Sequence, residues 1–80
     1  MRREKAMLFE SKHTTAKMLM GNHKIPHGWD ICNKMQIIND RTGDAGVLIR
    51  HEKTGAYALW DVRVLKNIPQ REAVLVDREK

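Results

Sequence analysis

The amino-acid sequence predicts an α+β fold: a small three-stranded antiparallel sheet, built on a central hairpin over residues 46–65 and covered by one or two short helices. Two runs rich in Val, Ile, Leu, Tyr and Trp flank a polar loop with a glycine, which predicts the hairpin. Apolar residues recur at helical intervals before it, and one more short apolar run follows it. With 80 residues, the chain is expected to form a single small domain over residues 1–80.

The sequence also indicates the register of the hairpin. Its loop is Glu52-Lys53-Thr54-Gly55, in which the glycine can supply the positive φ that a short loop needs. The cross-strand pairs that follow are His51 with Ala56, Ile49 with Ala58 and Val47 with Trp60. With Val62 and Val64, these strands are expected to present one apolar face, which places Trp60 inside the domain.

The opposite face of the hairpin has a mixed composition. It carries aliphatic, aromatic, acidic and basic residues, namely Leu48, Arg50, Tyr57, Leu59, Asp61 and Arg63. Solvent, a polar partner and a covering helix all agree with such a composition.

The segment before the hairpin begins with two competing periods. Over residues 4–20 the apolar and small residues recur at helical intervals, whereas Thr14-Thr15 and the alternation of Met7 with Phe9 would also suit strands. We expect a helix here, with strands as the alternative. Gly21 is expected to end it, because glycine readily adopts the left-handed conformation found at helix C-termini.

A second helix is expected over residues 29–38. The apolar residues from Ile31 onward follow a helical spacing, and Asp30 favours the N-terminal end of a helix. A strand through Met35 and Ile37 is the alternative.

A third strand is expected at Ala73–Val76, a short apolar run bounded by charges. Pairing of this strand with the hairpin completes a three-stranded sheet, about the minimum that makes strands independently stable. Residues 66–70 include Pro69 and should break regular structure, and residues 77–80 are expected to fray.

The chain is basic, with 15 Lys and Arg against 10 Asp and Glu and a net charge of +5 spread along its length. Such a balance favours acidic partners by long-range attraction that salt screens. The polar mean hydropathy argues against a membrane span. Ala6 to Phe9 is too short for the apolar core of a secretory signal, and one cysteine cannot form an internal disulfide, so a cytoplasmic location is expected.

One local pattern contains zinc-type ligands: His23, His27 and Cys32. A structural zinc site needs four ligands, so His13 or His51 would have to come from elsewhere in the fold. The alternative is a loop of solvent-facing or capping histidines beside a small buried thiol. We expect no metal and no cofactor, because the usual paired cysteines are missing.

The sequence gives little indication of an enzyme. The glycines Gly43 and Gly46 match neither a P-loop nor a dinucleotide fingerprint, and so small a sheet offers little room for a catalytic cleft. A non-enzymatic binding protein is therefore expected.

The mixed face of the hairpin is the predicted binding surface. Arg50 lies beside Tyr57 in the expected register, and arginine can pair with phosphates while tyrosine offers a stacking plane for single-stranded nucleic acid. The expected partner is nucleic acid or a nucleoprotein complex, with an acidic protein surface as the alternative. The candidate contact residues are Arg41, Arg50, Lys53, Tyr57, Leu59, Arg63 and Lys66.

In size and general character the chain resembles the small accessory proteins of phages and mobile elements, including anti-CRISPR proteins, which are often short, single-domain and non-enzymatic. This resemblance covers no motif and assigns no residue a role. It implies a second hypothesis, a protein–protein inhibitor of a host enzyme complex. Such an inhibitor would use Leu48, Tyr57 and Leu59 as exposed apolar anchors, with the arginines as a rim.

Overall fold

The structure, a computed structural model, describes residues 7–78 of the chain. In this range it contains six β-strands and two short helices. In chain order they are β1 (Leu8–Thr15), α1 (Ala16–Met20), β2 (Trp29–Ile31), β3 (Met35–Asn39), β4 (Ala45–His51), β5 (Tyr57–Trp60), β6 (Leu65–Ile68) and α2 (Gln70–Ala73). No helix within the described range is long and apolar enough to cross a membrane.

The strands pair antiparallel in the order β1-β3-β4-β5-β6. β2 and β3 lie end to end beside β4, because β2 pairs with the last residues of β4 and β3 with its first residues. β3, β4, β5 and β6 are therefore neighbours in chain order, as in a meander, whereas β1 pairs with β3 and β2 pairs with β4. The expected three-stranded sheet is wrong: the described chain builds a mostly β architecture with six strands and two short helices.

The central hairpin is confirmed with the predicted register. Val47 pairs with Trp60 and Ile49 pairs with Ala58. The N–H of His51 donates a hydrogen bond of 2.8 Å to the carbonyl of Ala56 and closes the loop. Gly55 has a φ of 79°, the positive value expected of the loop. Residue alternation and loop chemistry are sufficient to predict this element because both strands belong to one continuous stretch.

The second strand of the hairpin ends earlier than predicted, at Trp60. Asp61 then closes a tight turn, since its carboxylate accepts hydrogen bonds from the backbone N–H groups of Val64 at 3.0 Å and Arg63 at 3.2 Å. These bonds lower the pKa of Asp61. Val62 has a φ of 69° in this turn and packs against the core, whereas Val64 is 47% exposed instead of extending the apolar face.

The predicted helix over residues 4–20 is mostly wrong. β1 occupies most of it, α1 takes its last five residues, and residues 4–6 lie outside the described range. Thr15 separates the two elements, because its hydroxyl accepts a hydrogen bond from the N–H of Met18 at 3.0 Å and caps α1. Gly21 ends the helix at the predicted position with a positive φ of 56°, but its ψ of −122° lies outside the left-handed helical region that was expected. Cross-strand pairing with β3 therefore outweighs the helical spacing.

The predicted helix over residues 29–38 is wrong as well, and the alternative strand is confirmed as β3. The buried Asn33 organises the break between β2 and β3. Its side-chain oxygen accepts from the N–H of Met35 at 2.9 Å, and its amide nitrogen donates to the carbonyl of Val76. Extended strands are favoured here because β4 offers an unpaired edge whose backbone groups a helix could not satisfy.

The predicted strand at Ala73–Val76 is wrong, since α2 and a following turn occupy this part of the chain. We call residues 70–78 the C-terminal segment. It packs across the sheet through two buried apolar side chains. The predicted fraying is wrong for Arg78, whose backbone N–H donates to the carbonyl of Cys32 at 3.0 Å, and residues 79–80 lie outside the described range.

Both faces of the hairpin are buried. On the tail face, which the C-terminal segment covers, the buried cluster consists of Cys32, Ile37, Leu48, Tyr57, Leu59, Ile68, Ala73 and Val76. On the opposite helix face, α1 and the loop after it cover a second cluster formed by Ala16, Val47, Ile49, Ala58 and Trp60. The core is therefore two thin apolar layers, one on each side of the sheet.

Gly46 lies where β4 passes close to the backbone of β5. A Cβ at this position would lie 2.8 Å from the carbonyl oxygen of Trp60. A side chain here would therefore push apart two strands that are paired with each other.

Replacing Trp60 with Ala should lower the free energy of unfolding by about 3–5 kcal/mol, because the indole ring belongs to the buried helix-face cluster. Urea unfolding followed by circular dichroism measures the change. The control is Leu65→Ala, which removes the cross-strand neighbour of Trp60 on β6 but is 44% exposed. An unchanged free energy of unfolding for Trp60→Ala would contradict this assignment of the core.

Gly46→Ala should lower the free energy of unfolding by about 1–3 kcal/mol, because the added methyl group meets backbone rather than a flexible side chain. The same urea experiment measures it. A variant as stable as the parent would show that β4 and β5 can separate here without loss.

Candidate binding surface

The seven predicted contact residues do not form one patch. They divide into three groups by position: Arg50 and Lys53 near the hairpin loop, Tyr57 and Leu59 on β5, and Arg41, Arg63 and Lys66 at the opposite end of the sheet. The two basic groups lie at opposite ends of β4, roughly 16 Å apart at about 3.3 Å per residue. They cannot contact a partner as one compact site.

The expected exposure of Tyr57 and Leu59 is wrong. Only 2% of Tyr57 and 3% of Leu59 is exposed, because the C-terminal segment covers them. The Tyr57 hydroxyl donates a hydrogen bond to the carboxylate of Asp77 in that segment. Leu48 is fully buried in the same cluster. The hairpin therefore offers neither a stacking plane for bases nor the apolar anchors expected of an inhibitor.

Arg50 is exposed but surrounded by carboxylates. Its guanidinium carbon lies 5.8 Å from the centre of the Tyr57 ring, within range of a cation–π contact. It shares a pocket of about 360 Å³ with Asp30, Glu52 and Asp77. A phosphate approaching Arg50 would meet these negative charges, so this end of the sheet is a poor phosphate site.

The opposite end of the sheet is also balanced in charge. The Nζ of Lys66 lies 3.0 Å from the carboxylate of Asp44. This hydrogen bond, together with one from the Thr42 hydroxyl, lowers the pKa of Asp44. Arg63 lies two residues after Asp61, whose carboxylate accepts its backbone N–H, and Arg41 directly follows Asp40. Each positive charge here therefore has a negative neighbour in space or in sequence.

Unbalanced positive charge lies elsewhere, around α1. No Asp or Glu occurs between Glu10 and Asp30, and this stretch contains three lysines and three histidines, all exposed. We call residues 11–28 together with Lys34 the basic segment. Its lysines are Lys12, Lys17, Lys24 and Lys34. Within residues 7–78, none of these four lysines forms an ion pair with a carboxylate.

An apolar groove of about 490 Å³ lies within the basic segment and beside β2. Its lining comes from the last residue of β1, from α1, from β2 and from the connection to β3: Thr15, Ala16, Lys17, Met20, Ile31 and Lys34. A hydrogen bond of 2.8 Å from the N–H of Ala16 to the carbonyl of Lys34 holds the two sides together. Lys17 and Lys34 therefore border the same groove from two different elements.

The three residues of the possible zinc pattern differ in their surroundings. His23 and His27 are exposed on the loop after α1, whereas Cys32 is buried in the tail-face cluster. Among residues 7–78, no group of three or more His, Cys, Asp or Glu side chains is arranged to hold a metal ion.

The basic segment can be recognised from the sequence, but the groove cannot be predicted from it. The run without carboxylates can be read directly from the chain, although an even overall distribution of charge hides it. The groove exists only because folding places Lys34 beside α1.

This arrangement is suited to binding anions, because its lysines are exposed. Among residues 7–78, the groove lining contains no carboxylate that would oppose them. The chain matches no protein-family model, no curated protein and no solved structure.

The stability of the domain should fall in strongly alkaline solution because of Tyr57. Burial first, and then the hydrogen bond to Asp77, raise the pKa of Tyr57 from 10.0 to about 12. The fold thus favours the neutral phenol, and this stabilisation is complete below pH 10 and lost as the pH rises towards 12. The expected loss is about 2–3 kcal/mol.

Two measurements check this effect. Tyr57 is the one tyrosine of the chain, so the ultraviolet absorbance of tyrosinate reports its titration directly. The control is Tyr57→Phe, which keeps the ring and should lose most of the alkaline decrease in stability. A midpoint near 10 in the folded protein would contradict the buried, hydrogen-bonded hydroxyl.

Proposed function

We propose that the protein is a non-enzymatic binding protein whose basic segment docks on nucleic acid, alone or within a complex that handles nucleic acid. The observation that carries this proposal is the basic segment itself: exposed lysines gathered around α1 without a neutralising carboxylate between Glu10 and Asp30. Basic surfaces of this kind attract phosphate backbones over long distances.

The mode of docking should be electrostatic. Lysine is a compact, flexible point charge, which suits phosphates better than it suits base edges. No aromatic side chain lines the groove, and the buried Tyr57 cannot stack on a base. Binding should therefore depend strongly on salt and only weakly on base sequence.

Among the basic residues that the sequence predicted as contacts, Arg50 and Lys66 contribute less to this proposal. Arg50 shares its pocket with three carboxylates, and Lys66 is paired with Asp44. These residues can still add to the long-range field, but each approaching phosphate would compete with a carboxylate that is already in place.

Fluorescence anisotropy with labelled single-stranded DNA, RNA and duplex DNA tests the proposal over a series of salt concentrations. Affinity should fall steeply with salt for each probe. Lys17→Gln and Lys34→Gln should each reduce the slope of log K against log salt by about 0.7–0.9, the value of one phosphate contact.

Two variants serve as controls for this experiment. Arg50→Gln should flatten the salt slope less than either lysine variant does, because Asp30, Glu52 and Asp77 line the same pocket and would repel a phosphate. Tyr57→Phe should leave affinity unchanged on single strands, because the ring is buried. If the parent protein binds none of the probes at low salt, nucleic-acid docking is wrong. If Arg50→Gln flattens the slope more than the lysine variants do, the basic segment is the wrong surface.

A further inference from the structure

The groove beside α1 combines an apolar floor with a charged border. Ala16, Met20 and Ile31 supply the floor, and most of the lining is apolar. Its volume of about 490 Å³ lies within the range of ligand sites, and it is open to solvent along one side. An apolar recess that stays open in this way is suited to a group inserted from outside.

The border of the groove selects for negative charge. Lys17 lies on α1 and Lys34 on the connection between β2 and β3, so lysines from two different elements line the groove. Among residues 7–78, no Asp or Glu lines it. A group that fits must therefore be apolar where it meets the floor and must carry negative charge beside its apolar part.

Three occupants have this general chemistry, and the geometry favours one of them. A nucleic-acid base would need hydrogen-bonding groups or an aromatic surface, and the groove supplies neither an aromatic ring nor a polar floor. A fatty acid carries one carboxylate for two lysines, and much of its long hydrocarbon chain would remain exposed to solvent in an open groove. An acidic peptide can place one apolar side chain in the recess and offer a carboxylate to each of the two lysines.

We propose that this groove binds an acidic segment of a partner protein, which inserts an apolar side chain into the groove and places carboxylates next to Lys17 and Lys34. The methionines of α1 suit this role, because a flexible thioether side chain can adapt to the inserted group. Met20 lines the groove, and Met18 on the same helix is 65% exposed. This binding does not require that the protein also dock on nucleic acid.

The test is a titration of the isotope-labelled protein, followed by two-dimensional NMR. The probe is a capped peptide of about 15 residues made of Glu, Ala and Leu, with leucines spaced i, i+3 or i+4, and i+7. Saturable shifts are expected for backbone signals of Thr15, Ala16, Ile31 and Lys34. A matched peptide with Ser in place of Leu should bind about 10-fold more weakly or not at all.

Protein variants test the two lysines separately from net charge. The double change Lys17→Gln and Lys34→Gln should weaken peptide binding by about 5- to 10-fold, because it removes both positive charges that line the groove. The matched double change Lys12→Gln and Lys24→Gln lowers net charge equally but leaves the groove intact, so it should weaken binding less than about 2-fold.

Several outcomes would overturn the proposal. Absence of saturation, or shifts centred outside the groove, would mean that the peptide does not bind there. Equal affinity for the Leu and Ser peptides would reduce the interaction to charge alone. Groove shifts that appear with sodium palmitate or with a single-stranded oligonucleotide, but not with the peptide, would identify a different occupant. All titrations are made without nucleic acid unless it is the probe, so failure here leaves the nucleic-acid experiment unaffected.

Discussion

The structure depends on strand β4, which must be buried on both faces and paired along both edges. Val47, Leu48 and Ile49 are fully buried, although alternate side chains of a strand point to opposite faces of the sheet. A continuous apolar strand of this kind needs cover on each side. The chain takes one cover from α1 with the loop after it and the other from the C-terminal segment.

The C-terminal cover is held by polar bonds as well as by apolar contacts. The amide of Asn33 donates to the carbonyl of Val76 and, at 3.0 Å, to the carboxylate of Glu10 on β1. The Tyr57 hydroxyl donates to Asp77. Buried polar groups need partners, because an unmade hydrogen bond costs more than a made one contributes. Tyr57, which the sequence suggested as part of a binding surface, therefore holds the C-terminal segment against the tail face instead.

The cover on the helix face is short because α1 is short, and the groove exists for this reason. α1 has five residues and leaves a groove open beside β2, bordered by Lys17 and Lys34. At the two ends of the sheet the basic residues are accompanied by carboxylates, as in the pair of Lys66 with Asp44. Within residues 7–78, no carboxylate pairs with the lysines around α1, so unpaired positive charge lies next to an accessible apolar groove.

The sequence alone determined the features that depend on neighbouring residues: the register of Val47 with Trp60, the positive φ of Gly55, and the end of α1 at Gly21. It also contained the run without carboxylates that forms the basic segment. Only the tertiary structure decided that residues 8–15, 29–31 and 35–39 form strands and that the C-terminal segment begins with a helix, because edge pairing and burial override weak local preferences. The burial of Tyr57 and the groove beside Lys34 have the same origin, since each is created by segments distant in sequence that meet only in the folded chain.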